Sequence, residues 1–402
     1  MKLITIEKNA VEALQYLERC VNNGLPGGTR FLNNVSPMYN PWLNSSFMCD
    51  TVIVNSDRVI EIGDSSDIPP DILREEFYIH PDTMFIYPKH DITLNQKRHR
   101  VLPTSSARTV YIPELNYYVK LHYPLMLGRV NKALSKNDLM NSYYNTLFLS
   151  QLISEKKCSP NIGFFPEPYA KYSPEYNLFN IWRSPNYKML QNHKDRVSYI
   201  IPAFSLFGRD WENPDDPTLI FQLIVNKIGI GKEPMNLLVF PIISCYLSLL
   251  FQCGLQIEMH AQNFMIAFDI NWNFIGIILR DIDSIQHDLT IMQFHGFNYY
   301  AFQNYGRCLD DSDDYYKIKH SFMFDHKFGE FFLLPLLSEI RRVLDVDMIE
   351  LTEEIKCFCR LQYGDEFEKY FPENVWYKFE NILIRPGIRR RVYTKCSAPI
   401  FR

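Results

Sequence analysis

The sequence predicts an α+β fold. Alternating β-branched runs fill much of the first third, apolar residues at near-helical spacing fill the last third, and two short apolar runs, 264–268 and 274–279, lie between as a hairpin. The opening MKLITIEKNAVEALQYLERCV carries Glu7, Glu12 and Glu18 among its apolar positions, which predicts an amphipathic helix and excludes the uninterrupted apolar stretch of a signal peptide. Residues 24–44 are dense in Gly, Pro and Asn, the chemistry of turns, and place a boundary there. The segment 51–62 reads as a hairpin around Asn55, Ser56 and Asp57, and 84–87 and 109–112 read as further strands. In 135–154, Leu139, Tyr143, Leu147 and Leu152 recur behind Ser135 and Asp138, a helix with its N-terminal signal. A second helix opens at Asp216 with Pro217 in its first turn, and a buried one starts at Glu233-Pro234 and stops at Gly254. Helices over 320–344 and 348–362 follow, then a basic tail with Arg385, Arg389, Arg390 and Arg391.

A chain of 402 residues has room for two or three subdomains of roughly 150 residues each and a substantial core. Forty-two Lys+Arg against 46 Asp+Glu give a net charge of -4, so the whole-chain field offers no reason to expect a nucleic-acid partner. Nine scattered Cys, with Cys357 and Cys359 too tightly spaced for a zinc knuckle, fit reduced thiols and a cytoplasmic location. The longest apolar run, 237–251, falls short of the roughly 20 residues that a bilayer requires, so no membrane partner is expected.

The strongest local signal is LQIEMHAQNFMIAFDINWNFIGIILRDIDSI, residues 255–285. A polar knot of Glu258, His260, Gln262 and Asn263 precedes the hairpin, whose far end delivers Arg280, Asp281 and Asp283. If the two runs pair, knot and Arg-Asp group meet at one spot. Carboxylates that hold Mg²⁺ beside amides and an imidazole that donate to oxyanions suit a metal-bound polyphosphate. The same residues would equally serve a structural Arg280–Glu258 salt bridge and a capped turn. A second segment, 103–134, has a hydroxyl-rich loop with Arg108 leading into a strand, and Lys120 one hairpin later. Hydroxyls, a guanidinium and a lysine are what a triphosphate requires, though a surface turn and a snorkelling lysine would look alike. No GxxxxGK[ST] cradle is present.

In this order, Ser106-Ala107-Arg108-Thr109, Lys120-Leu121, Glu258-Met259-His260-Ala261-Gln262-Asn263 and Arg280-Asp281 resemble the motifs of the NRPS-independent siderophore (NIS) synthetases, the aerobactin synthetase (IucA/IucC-like) family. The resemblance covers roughly 77–402 and implies that family's cupped hand: an N-terminal thumb over 1–76, β-rich fingers over 77–212 and a helical palm over 213–402. It implies an ATP-dependent ligase that adenylates a carboxylate, often citrate or a citrate conjugate, which an amine or hydroxyl then attacks. Ser106, Arg108 and Thr109 would hold phosphates, with Lys120 neutralising the α-phosphate region. His260, Gln262 and Asn263 would contact phosphate and carboxylate, and Arg183 and Arg280 would complete the nucleotide site. Glu258 and Asp281 would be the Mg²⁺ ligands, Asp283 a weaker candidate, and a homodimer would be the assembly. Lys120, His260 and Arg108 form the expected catalytic set.

The departures bear on substrate. The family's N-terminal His-Pro-x-His-Pro-x-x-Lys motif has no counterpart; Ser36-Pro37-Met38-Tyr39-Asn40-Pro41 lacks its histidines and lysine, while His80-Pro81 resembles a later family segment or is a turn before a strand. A family arginine falls on Lys132 and a threonine on Gly128, so nucleotide handling is expected to be kept better than citrate handling. Two other readings stand beside the ligase: a non-catalytic scaffold, and a small-molecule kinase echoed by His260-x-x-Asn263 and Asp281 but lacking a catalytic Asp and a Gly-rich loop. His287, His295, His320 and His326 share no metal spacing, and the acidic run Asp310, Asp311, Asp313 and Asp314 reads as a solvated loop.

Overall fold

The computed structural model describes residues 2–402 except 23–34, 64–65, 67, 69–71, 73–74, 88–92, 128–129, 299–301, 303–306, 310–315, 372–373 and 386–387. Gly128, the acidic run at Asp310, Asp311, Asp313 and Asp314, and the side chains of Arg385, Arg389, Arg390 and Arg391 lie outside the described residues.

The α+β expectation holds. An eight-stranded sheet runs Ile60–Gly63, Tyr169–Ser173, Leu178–Arg183, Tyr117–Leu121, Thr109–Ile112, Thr93–Pro103, Phe47–Ile53, Glu76–Ile79. A five-stranded sheet runs Lys188–Met189, Ile162–Phe164, Phe274–Leu279, Phe264–Phe268, Tyr199–Pro202. Helices dominate after residue 315, with Leu334–Leu344 and Met348–Tyr370 the longest α-helical pieces there.

The expected hairpin over 51–62 does not form. Phe47–Ile53 pairs with Glu76–Ile79 and Thr93–Pro103, whereas Ile60–Gly63 pairs with Tyr169–Ser173 at the opposite edge of the sheet. Alternation identifies a strand but not its partner; here Asn55 caps a short 3-10 turn, Ser56–Arg58, that redirects the chain where a two-residue hairpin turn would have reversed it. The strand expected at 84–87 is also absent, because His80 caps and Pro81 starts a 3-10 helix, Pro81–Ile86. The opening helix is two, Leu3–Lys8 and Ala10–Cys20, broken at Asn9, whose side chain accepts from the Glu12 N–H. The helix expected at Asp216 begins at Leu219.

Elsewhere local chemistry and structure agree. Ser135 and Asp138 form a reciprocal capping box at the head of Lys136–Ser154. The helix Met235–Cys253 is long and apolar enough to cross a membrane, but it forms part of the largest core cluster and ends on Gly254 in the left-handed conformation, φ 67°. Phe264–Phe268 and Phe274–Leu279 pair as expected, Phe264 opposite Leu279. Phe274–Leu279 also runs parallel to Ile162–Phe164; a Cβ at Gly276 would sit 2.1 Å from the Asn161 carbonyl oxygen, so only glycine permits this approach.

The eight-stranded sheet buries one lysine outside the candidate site's side-chain network. Lys171 is 0% exposed, its ammonium 5.2 Å from the Phe77 ring centroid. Burial lowers its pKa to about 7 from 10.5, against the pull of Glu76, Glu61 and Glu75. Between those two values the unfolded chain holds a proton that the folded chain releases, so stability should rise with pH from about 7 to 10.5. Lys171→Met should flatten that rise, measured as urea midpoints across the range.

Candidate active site

The site is assembled from strand periodicity. Thr109 lies opposite Lys120 in one antiparallel pair, and Ile181 opposite Lys120 in the next. Because side chains alternate, Thr109, Lys120 and Arg183 emerge on one face of the eight-stranded sheet. The 264–279 hairpin meets that face with both ends together: the Arg280 N–H donates to the Asn263 carbonyl at 2.9 Å, and its Nε to the Gln262 carbonyl at 2.5 Å. Knot and Arg-Asp group therefore converge, as the sequence predicts.

The alternative salt bridge between Arg280 and Glu258 is not made. Arg280 pairs with Glu18, and Glu258 with Lys327. At the centre, Lys120 is 1% exposed and its Nζ lies 2.6 Å from Asp283 Oδ1 and 3.3 Å from Asp281 Oδ1. Asp281 also takes Arg183, which donates to Glu167 at 2.6 Å. Ser142 donates to Glu167, whose own N–H donates to Thr146 Oγ1 at 2.8 Å. Asn141 and Asn145, one turn apart on Lys136–Ser154, donate to the carbonyls of Asp283 and Ile282 at 2.6 and 2.9 Å and fix the loop that carries both aspartates. Asp281 itself is left-handed, φ 58°.

Electrostatics follow from this geometry. Burial alone would raise the Asp281 carboxyl and strip the Lys120 proton; with each facing the other, and Arg183 beside Asp281, Asp281 is held well below the usual carboxylate range and Lys120 is raised. Burial brings His260 down to about 3, despite Glu258. Its neutral ring accepts from the Gln262 N–H on Nδ1 at 3.3 Å, which assigns the ring proton to Nε2. Glu258 sits at about 2: burial opposes its charge, but Lys327 prevails.

The hydroxyl loop is a tight turn between Thr93–Pro103 and Thr109–Ile112. Thr104 Oγ1 donates to the Thr109 carbonyl at 2.8 Å, Ser106 Oγ accepts from the Thr109 N–H at 3.0 Å, and Ala107 is left-handed, φ 61°. Arg108 donates to the Lys132 carbonyl at 2.7 Å. Among the described residues no carboxylate lies within ion-pair distance of Arg108 or Lys132, and burial with Arg108 beside it lowers the Lys132 pKa. The Thr109 hydroxyl is buried without a partner. A pair of neighbouring cations and an unpaired hydroxyl make a place for an anion.

Among the described residues no three His, Cys, Asp or Glu side chains gather to hold a metal. Mg²⁺ needs only one or two carboxylates when phosphates and water complete its shell; the two that the resemblance implies, Glu258 and Asp281, hold Lys327 and the Lys120 and Arg183 cations here, and would give up one of those contacts to a metal. His287, His295, His320 and His326 are each hydrogen-bonded, to Asn145, the Phe251 carbonyl, Asp288 and Glu330 in turn. His80 is walled by Tyr39, Phe47 and Tyr123 and serves as a helix cap.

Glu18, Glu167, Lys327, Asn141 and Asn145 were not legible as site residues, although Glu18 shares the buried side of an amphipathic helix with Ala13, Leu17 and Cys20, where a charge signals a buried partner.

No family model matches the sequence, and no curated protein does. Among solved structures, ATP-bound aerobactin synthetase IucA from a hypervirulent pathotype of Klebsiella pneumoniae superposes with a TM-score of 0.71 over 99% of this chain and 80% of that one, at 12% identity. Petrobactin biosynthesis protein AsbB from Bacillus anthracis str. Sterne gives 0.70 over 99% and 78%, at 13% identity. Aerobactin synthetase IucC from the Klebsiella pathotype gives 0.66 over 92% and 72%, at 12% identity. The chain has the NIS synthetase-like fold. At such identity the likeness is one of backbone, and the NIS synthetase-like chemistry has to be argued from the side chains above.

Asp283→Asn leaves the buried Lys120 ammonium with Asp281 alone, and should cost about 3 kcal/mol of stability by urea unfolding.

Proposed function

We propose that the chain is an ATP-dependent ligase that activates a carboxylate by adenylation and passes the acyl group to an amine or hydroxyl, in the biosynthesis of a siderophore or a related product. The carrying observation is the Arg108 and Lys132 pair, which among the described residues makes no ion pair, with the buried, unbonded hydroxyl of Thr109 opposite Lys120. The fold shared with an ATP-bound aerobactin synthetase supports the same reading.

In this reading Ser106, Arg108, Thr109 and Lys132 take the phosphates. Lys120 stays protonated, because Asp281 and Asp283 outweigh its burial, and offers N–H donors rather than net charge as the α-phosphorus goes pentavalent. A carboxylate oxygen attacks that phosphorus, the bond to the bridging oxygen breaks, and pyrophosphate leaves with the electron pair; an amine or hydroxyl then attacks the acyl carbon, the C–O bond breaks with its pair going to AMP, and the nucleophile's proton passes to solvent. His260, neutral with its proton on Nε2, donates to an oxyanion without adding charge. Mg²⁺ carried with ATP, held by Glu258 and Asp281, would supply phosphate charge neutralisation. No side chain needs to become covalently attached: fixed cations and alignment suffice. The acyl acid is left open by the missing His-Pro-x-His-Pro-x-x-Lys motif.

Purified protein with ATP, Mg²⁺, hydroxylamine and a panel of carboxylates should release AMP and pyrophosphate with one acid; ADP would make it a kinase, and silence with ATP still bound a scaffold. His260→Ala should abolish release while the fold is retained. Thr109→Val removes a hydroxyl that has no protein partner, so its stability should change by less than about 1 kcal/mol while its KM for ATP rises about tenfold.

A further inference from the structure

We propose that Glu18 is a positioning residue: a buried clamp that sets the nucleotide loop through Ser105 and Arg280. The inference rests on the ligase reading above. Glu18 is 5% exposed and comes from the helix Ala10–Cys20, distant in sequence from every motif of the site. Its two oxygens divide the work. Oε1 pairs with Arg280 Nη1, and Oε2 accepts the Ser105 N–H at 3.1 Å.

Arg280 is committed on every side. Nε donates to the Gln262 carbonyl at 2.5 Å, Nη2 lies 3.5 Å from Ser105 Oγ, and the guanidinium carbon lies 5.8 Å from the Phe204 ring centroid. Gln262 Nε2 approaches the same Ser105 Oγ at 3.5 Å. A single carboxylate therefore ties the hydroxyl loop, the polar knot and the Arg-Asp turn into one unit. Ser105 precedes Ser106, whose hydroxyl accepts the Thr109 N–H at 3.0 Å, so a shift at Ser105 moves both phosphate hydroxyls.

The clamp also divides the charge. Arg280 is paired with Glu18, whereas among the described residues Arg108 and Lys132 make no direct ion pair and feel Asp281 and Glu258 only at longer range. Arg280 then acts on nucleotide through the loop, in place of the direct contact that the motif resemblance implies. A buried ion pair completed by further hydrogen bonds has few alternative geometries, which is what a fixed anion site requires.

The test compares wild type with Glu18→Gln, which keeps the shape and an acceptor for Ser105 but drops the charge, with Arg280→Gln, and with the double variant. Glu18→Asp keeps the charge and serves if the others fold poorly. Two readouts are taken: amide hydrogen exchange of 104–109 without nucleotide, and KM for ATP against KM for the carboxylate. Glu18→Gln should expose 104–109 to faster exchange and raise the ATP KM about tenfold with the carboxylate KM unmoved, and the double variant should be no worse than the worse single one, the signature of one coupled unit. Unchanged exchange in 104–109, or both KM values rising together while the melting temperature falls, would overturn the clamp and leave Glu18 a general structural residue. Wild type that turns over no ATP sinks the ligase reading, and the exchange arm then decides the clamp alone.

Discussion

The arrangement depends on one buried ion network: Lys120 between Asp281 and Asp283, and Arg183 between Asp281 and Glu167. Isolated in the interior, each of these charges would carry a large desolvation penalty. Together they are affordable only if the sheet face bearing Lys120 and Arg183 and the hairpin end bearing the aspartates stay in register. The helix Lys136–Ser154 enforces that register through Asn141 and Asn145, which bond the main chain of the aspartate loop. The electrostatics of the site and the docking of its elements are thus one constraint.

The same network explains why two cations without an ion pair among the described residues can lie beside it. Lys120, Arg183 and Arg280 are each matched to carboxylates, so the positive potential left at Arg108 and Lys132 is local. Lys132 stands where the resemblance leads one to expect an arginine. A lysine preserves charge and surrenders the bidentate fork, and burial, with Arg108 beside it, lowers its pKa.

Much of this was legible in the chain, and the failures have a common cause. The capping box at Ser135 and Asp138, the Gly254 stop and the 264–279 hairpin depend on neighbours within a few residues, and the structure agrees with all three. The hairpin over 51–62 failed because its two strands lie at opposite ends of an eight-stranded sheet, each with other partners, which no local pattern encodes. The site divides the same way. Lys120, Asp281 and the polar knot carry motif spacing, whereas Glu18, Glu167 and Lys327 arrive from remote elements, and each was visible only as a charge on an otherwise ordinary segment.

If the chain adenylates its acid, a carboxylate oxygen meets the α-phosphorus of ATP beside Lys120, and isotope transfer reports that bond. With the accepted acid labelled by ¹⁸O in its carboxylate, single-turnover product analysed by mass spectrometry should show one ¹⁸O in the phosphate of AMP. Label in inorganic phosphate with ADP as the nucleotide product, or AMP free of label, would contradict the account, because neither can arise from an acyl-adenylate formed at this site.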